Sequence, residues 1–278
     1  MDNERRKFLK IAGISALAGI GAPAIVKLTS TASYASEQAA HGASEGKMAE
    51  GGGQQVAGEM TKQYGMVVDM RKLMSQPELM EKAIAACNDT YNIPQFPPEK
   101  KNEEIMWIWT DTFEHAFPEQ SNYHLAKVEE KSQFLLLCNH CEFPPCVRVC
   151  PTKATFKMKS TGIVTQDYHR CIGCRFCMAA CPYGARSFNW EDPRPYIKHI
   201  NPEFPTRMRG VVEKCTFCSD LLARGEEPAC VAAIKESGAL VFGDINDEKS
   251  EIRQILEKEF TIQRKPSAGT KPSVFFIV

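Results

Sequence analysis

Twelve cysteines are spread unevenly over 278 residues, and eleven of them fall between positions 138 and 230. Cys138, Cys141, Cys146 and Cys150 form CNHCEFPPCVRVCP, and Cys171, Cys174, Cys177 and Cys181 form CIGCRFCMAACP. Cys215 and Cys218 form CTFC, Cys230 follows after eleven intervening residues, and Cys87 stands alone in AIAACNDTYNIP. Thiols grouped in this way can form disulfides, hold zinc or ligate iron. Two complete tetrads at this spacing match a disulfide framework poorly. Structural zinc usually pairs two separated C-x2-C units. It needs neither a third Cys shortly afterwards nor a fourth one four residues on, before proline. A C-x2-C-x2-C-x3-C-P run instead serves iron–sulfur clusters, and its fourth Cys joins a different cluster from the first three.

The elements around the thiols must suit that chemistry. A C-x2-C-x2-C loop wraps three corners of a cubane, and Gly173 would let backbone amides approach the sulfides. Cys177-Met-Ala-Ala-Cys181 predicts a short helix whose i and i+4 positions share a face about 6 Å apart along the axis. One thiolate then faces the near cluster and the next reaches toward another. Pro182 and Pro151 end these turns, and the longer gap Glu142–Pro145 changes the loop but not the exit helix. Residues 154–167, ATFKM-KSTG-IVTQD, predict a β-hairpin. Short strands are expected over 64–70 and 239–244, and helices over 77–89 and 247–260. The last helix is amphipathic through Ile252, Ile255, Leu256 and Phe260.

The N-terminus sets an expected compartment. Arg5-Arg6-Lys7-Phe8-Leu9-Lys10 precedes the apolar run IAGISALAGIGAPAIV, which is short for a membrane span and carries Gly and Pro. The paired arginines resemble a twin-arginine signal, with Ser33-Tyr34-Ala35 as a cleavage site; an uncleaved anchor is the alternative. That export route carries proteins already folded around their cofactors, which reconciles many free thiols with an extracytoplasmic location. Cleavage after Ala35 removes five of the 34 Lys/Arg and two of the 34 Asp/Glu, for a formal charge near −3. The whole chain is formally neutral, so no global field points to nucleic acid. Residues 36–60, with Gly51-Gly52-Gly53, read as a flexible linker.

From about Tyr64 to the end, the chain resembles the iron–sulfur electron-transfer subunits of complex iron–sulfur oxidoreductases, the group of the DMSO, nitrate and polysulfide reductase B-type subunits. The stretches that carry the resemblance are YGMVVDMRK, the NIP after Cys87, CNHCEFPPCVRVCPTKA, CIGCRFCMAACPYGAR, EKCTFCSDL, ALVFGDIND and GTKPSVFFIV. It implies an α+β fold of two nested ferredoxin-like [4Fe–4S] modules with short hairpins and helices. The implied organisation is a signal peptide over 1–35, a linker over 36–60, the first part of module 1 over 61–137 and module 2 over 138–190. The second part of module 1 follows over 191–246, and a C-terminal helix and tail over 247–278.

The family pattern has four cysteine motifs, and this chain departs from it at two places. A C-x2-C-x2-C-x3-C run should follow Arg71-Lys72, where the sequence has RKLMSQPELMEKAIAAC. Counted forward, Leu73 stands at the first ligand position; counted back from Cys87, Pro77, Met80 and Ala83 occupy the first three. In CVAAIKE, Ile234 stands where the fourth motif would end, and Lys235 replaces its proline. These are all four ligands of one cluster and no ligand of any other. The resemblance then divides the twelve thiols into three [4Fe–4S] sets: Cys138, Cys141, Cys146 with Cys181; Cys171, Cys174, Cys177 with Cys150; and Cys215, Cys218, Cys230 with Cys87. Ile234 is free to fill the vacated space beside Val231, Ala232 and Ala233.

In such proteins the clusters run from a membrane quinol subunit to a molybdenum subunit, with the missing cluster at the catalytic end. Its loss implies that no molybdenum partner docks. Within the family the pattern is most similar to the sulfite-reduction-associated branch. That branch implies a polytopic NrfD-like quinone-interacting subunit and a multihaem cytochrome c as partners, with membrane association through them on the periplasmic or exoplasmic side. Family position puts the Cys138 set nearest the quinone subunit and the Cys87/Cys215 set at the far end. An electron-transfer subunit of a molybdopterin reductase or hydrogenase with one cluster fewer is the second reading, and a metal-stabilised structural module a third. No Ser–His–Asp set, phosphate loop or paired acid–base carboxylates stands out. His140 reads either as a donor to a cluster sulfur or as a solvated loop residue, and Trp107 and Trp109 as module packing or as a partner patch.

Overall fold

The computed structural model describes residues 62–120 and 132–278, so the expected signal peptide and linker lie outside the described residues. YGMVVD forms strand β1 (Tyr64–Asp69), buried from Gly65 onward. A strand buried on both faces reads as a continuous apolar run. Here Met66 and Val68 enter the main core, while Val67 packs with Val241, Ile252 and Ile277 on the other side. Asp69 ends the strand one residue earlier than expected. Its carboxylate accepts from the backbone N–H of Arg71 (3.1 Å) and Lys72 (3.4 Å) and so caps helix α1 (Met70–Ser75).

Helix α2 (Glu78–Thr90) follows Pro77 and carries Glu78 and Glu81 in its first turn, where the helix dipole favours acids. Leu79, Met80, Ala83 and Cys87 form its buried side at helical spacing. Strand β2 (Ile108–Thr112) leads into helix α3 (Phe113–Ala116) and pairs antiparallel with β3 (Gln133–Leu137). After α4 (Pro145–Arg148), the expected hairpin forms from β4 (Thr155–Lys157) and β5 (Val164–Gln166). Its turn uses Gly162 at φ +69°, where a Cβ would lie 2.1 Å from Gln63 Oε1.

Helix α5 (Phe176–Ala179) is followed by β6 (Ser187–Phe188) and its partner β7 (Val212–Glu213). Short helices α6 (Ser219–Ala223) and α7 (Ala229–Ala233) precede β8 (Leu240–Asp244), helix α8 (Glu251–Lys258) and β9 (Val274–Ile277). The main sheet has the order β8-β1-β9, with β8 antiparallel and β9 parallel to β1.

Distant segments are tied by buried polar bonds. Helix α2 packs against α7. Asn92 donates to the carbonyls of Asn201 (3.0 Å) and Phe204 (2.6 Å) and accepts from the N–H of Asn201 (2.7 Å). Trp107 is 1% exposed, stacks on Tyr91 and donates its indole N–H to Glu213 (3.0 Å), which also pairs with Arg207 at 2.8 Å. Trp109 is part-buried against the same core, so both tryptophans serve packing.

Two local expectations require correction. The last helix is shorter than 247–260. Asp247 and Ser250 close a turn before it, and the Ser250 hydroxyl caps it by accepting from Arg253 N–H (3.3 Å). Phe260 therefore lies past the helix end and is 80% exposed, while Ile252, Ile255 and Leu256 pack inward. In the second motif α5 stops at Ala179, so Cys177 and Cys181 do not share a helical face. A last tight turn, Cys181 N–H to Met178 O (3.2 Å), carries the backbone away before Pro182.

Candidate metal centres

Cys87 sits in the last turn of α2, Cys215 and Cys218 in the loop after β7, and Cys230 in α7. The four line one pocket, together with Tyr91, Trp107 and Thr216. Burial pushes the Cys87 and Cys215 thiols well above their ordinary range, and the neighbouring cysteines add to it. Burial also pushes Cys230 up to about 12. Thiols in such a pocket hold their protons until a cationic partner takes their place.

Cys150, Cys171, Cys174 and Cys177 line a second pocket with Thr155, Ile172 and Arg175. Burial opposes the Cys150 thiolate, but bonds from the Thr155 N–H (3.5 Å) and the Thr152 hydroxyl outweigh it and lower its pKa. The remaining four thiols also converge. Cys141 packs with Cys138 and Cys181 beside Tyr183 and Ala185, and Cys138, Cys146 and Cys181 all bear on it electrostatically. Burial first, and then these thiols, push Cys141 up to about 12.

Left-handed residues make each loop tight: His140 at φ +40° in the first motif, Gly173 (+69°) and Arg175 (+62°) in the second, Phe217 (+52°) and Cys218 (+51°) in the third. Four of these five are not glycine, a cost normally tolerated where structure over-determines it. Gly173 is required for a reason beyond amide access: a Cβ there would lie 2.4 Å from the Gly210 carbonyl oxygen.

The donor chemistry fits iron–sulfur clusters. Two of the thiol groups each line a common pocket, four cysteines to a pocket. Buried donors are also left over, since Thr216 Oγ1, His140 Nε2 and Arg186 Nη2 have no hydrogen-bond partner among the described residues. Buried polar groups are rarely orphaned, and cluster sulfurs accept such bonds.

A family described as "4Fe-4S dicluster domain" matches residues 132–197, which hold eight of the twelve cysteines. The protein is 46% identical over 201 residues to the Hdr-like menaquinol oxidoreductase iron–sulfur subunit 1 of Archaeoglobus fulgidus, covering 69% of this chain and 71% of that one. It is 45% identical over 214 residues to a putative dimethyl sulfoxide reductase iron–sulfur subunit of Halobacterium salinarum, covering 77% and 78% of the two. It belongs to the iron–sulfur subunits of the DMSO and polysulfide reductase type. To a polysulfide reductase polypeptide of Wolinella succinogenes it is 34% identical over 219 residues, covering 78% and 95%. This iron–sulfur subunit is thus a non-catalytic electron-transfer component that carries [4Fe–4S] clusters in a ferredoxin-like dicluster domain.

The order of thiol groups along the subunit differs from expectation. Cys146 packs with Cys177, while Cys138 borders the core that holds Cys87 and Cys230 and bears on Cys215. The Cys138 group therefore lies between the other two and not at an end. Family position misleads here because sequence order within a motif says nothing about which loop faces outward.

Of the two roles expected for His140, the solvated loop residue is overturned. The residue is fully buried, stacks on Phe217 at 3.7 Å and accepts the Val164 N–H (3.2 Å) at Nδ1, which leaves the proton of the neutral ring on Nε2. Burial, then the charges of Lys214 and Arg186, hold its pKa well below the usual value. Two residues that sequence reasoning missed are those cations. Arg186 is 5% exposed and Lys214 is fully buried. The signal was available, because Lys214 directly precedes Cys215 in EKC and Arg186 stands five residues after Cys181 in CPYGAR.

Proposed function

We propose that this subunit carries three [4Fe–4S] clusters and relays electrons between a membrane quinone-interacting NrfD-like subunit and a multihaem cytochrome c or other carrier. The complex would serve sulfur metabolism of the dissimilatory sulfite-reduction type, with this chain in the place of DsrO in DsrMKJOP. Bound clusters supply one-electron redox chemistry. The protein's own part is to hold them in sequence, exclude water and present two ends. The ligand sets are Cys87/Cys215/Cys218/Cys230, Cys138/Cys141/Cys146/Cys181 and Cys150/Cys171/Cys174/Cys177. The segments 61–137 and 191–246 form one nested module around 138–190, a reading supported by the α2–α7 and β1–β8 contacts.

The observation that carries the count of three is the packing where a fourth cluster's ligands would stand. Counted back from Cys87, Met80 and Ala83 are buried with Ile234 in one apolar core beside Leu79 and Val231, while Pro77 is exposed; counted forward, Leu73 is buried in the same core. A protein that had merely lost one ligand of a working site would leave thiols or a void there. The same packing favours this reading over a molybdopterin reductase or hydrogenase subunit, since the segment that would pass electrons onward to a catalytic partner is a closed hydrophobic interface.

The Cys150/Cys171 set is the end for the quinone subunit. Around it Ile172 is 67% and Phe176 59% exposed, with Trp190 and Val149 also open, an apolar patch of the kind that marks an interface. The Cys87/Cys215 set is the other end and faces the soluble carrier. Export by the twin-arginine route puts the subunit on the periplasmic or exoplasmic side. The test is purification of the native complex followed by Cys87→Ser. Quinol should still reduce the other two clusters, while transfer onward to the carrier slows. If Cys87→Ser blocks reduction of every cluster in an otherwise folded protein, the order is wrong.

A further inference from the structure

Arg186 and Lys214 form no ion pair with Asp or Glu among the described residues. The Arg186 guanidinium donates through Nη1 to Gln166 Oε1 (2.9 Å) and Thr155 Oγ1 (3.3 Å), both neutral, and its Nη2 is one of the orphaned donors. The thiols of Cys146, Cys177 and Cys138 bear on it electrostatically, and the Thr155 and Gln166 that hold it line the Cys150/Cys171 pocket. Lys214 Nζ donates to the carbonyls of Cys215 (2.8 Å) and Val164; burial, and then Arg186, lower its pKa, and the thiols of Cys138, Cys215 and Cys146 bear on it in the opposite sense. A buried cation without a counter-charge is strongly unfavourable. Each of these has the same kind of counter-charge available, a ligated cluster whose thiolates and sulfides make it anionic.

The two cations also divide the thiols between them. Arg186 stands where the Cys138 group meets the Cys171 group, and Lys214 where the Cys138 group meets the Cys215 group. We propose that they are counter-charges, one in each gap between neighbouring clusters, each raising the reduction potential of the two clusters it separates. A reduction step adds one electron from the donor to a cluster and takes up no proton at Arg186, because a guanidinium does not give up its proton. The added negative charge is met by a cation already in place, in a setting where water cannot reorganise to do the same.

The inference rests on the proposed three-cluster division, so the experiment separates the two. Iron is counted in each sample before EPR-monitored redox titration of the full chain in its complex, with dithionite and mediators as electron source. The Cys87 and Cys171 signals are identified as those that Cys87→Ser and Cys171→Ser alter. Arg186→Gln should shift the one-electron equilibria of the Cys138 and Cys171 clusters tenfold or more toward the oxidised form, about 59 mV for each tenfold, and move the Cys87 cluster less than threefold. Lys214→Gln should shift the Cys138 and Cys87 clusters and spare the Cys171 cluster. Arg186→Lys keeps the charge and should hold all three within threefold of wild type. Equal shifts of all three clusters, or none, in either Gln variant overturn the proposal. If a Gln variant fails to load iron, the other one decides, and a tenfold shift in Arg186→Lys also overturns it. A wild-type iron count near eight would defeat the three-cluster reading instead, leaving Arg186 to be judged on the two clusters it touches.

Discussion

Ile234→Ala tests the claim that apolar packing replaces a cluster between α2 and α7. Ile234 is 4% exposed and packs in the core that includes Met80, Ala83 and Val231. The substitution removes three buried carbons, which at roughly 0.8 kcal/mol each is about 2.4 kcal/mol of lost transfer free energy. The cavity left behind adds to this, and such Ile→Ala changes span about 2–5 kcal/mol in all. A value near 3 kcal/mol, falling on the unfolding barrier, speeds unfolding roughly 100-fold. Cluster proteins unfold irreversibly, so the assay is the rate of bleaching of the iron–sulfur absorbance in guanidinium, compared between variant and wild type loaded to equal iron. The variant should unfold faster and still hold the wild-type amount of iron when freshly purified. An unchanged bleaching rate, or a loss of four iron atoms per chain, would refute the reasoning, because the residue would then be either idle or part of a metal site.

Gly173→Ala should abolish one cluster selectively: the left-handed backbone costs about 1–2 kcal/mol for a non-glycine residue, and the new Cβ meets the Gly210 carbonyl at 2.4 Å. Iron analysis should read about four atoms per chain below wild type, with the Cys171 signal missing from EPR and the others kept. Changing Arg5 and Arg6 both to Lys preserves the charge and should leave cluster-loaded protein in the cytoplasm, as read by fractionation; arrival of the variant on the exoplasmic side would refute the twin-arginine route.

The sequence was most legible where one local rule dominates. The hairpin at 154–167 followed from two short β-type runs around a glycine turn, and β1 from an apolar run too short for a helix. The thiol groups were legible because ligand spacing is itself local. What was not legible depends on choices between competing local bonds or on distant packing. Asp247 and Ser250 could have continued a helix, but their side chains and the Ser250 cap start it later. The sequence Cys177 to Cys181 has helical composition, yet a closing turn ahead of Pro182 takes Cys181 off the helix. The central position of the Cys138 group, and the placement of Arg186 and Lys214 beside it, arise only when β6, β7 and the hairpin meet. His140 was likewise undecidable until Phe217 was found stacked on it.

The central claim is that the twelve cysteines make three cubanes and that the fourth site of the family pattern has been closed by packing. Iron and acid-labile sulfide analysis of anaerobically purified native protein tests it most directly. Three clusters at four iron atoms each predict about 12 iron and about 12 sulfide per chain. A count near 16 would mean that a fourth cluster is held without the missing thiols, and a count near 8, or zinc in place of iron, would mean that the Cys87/Cys215/Cys218/Cys230 cavity is not a cluster site.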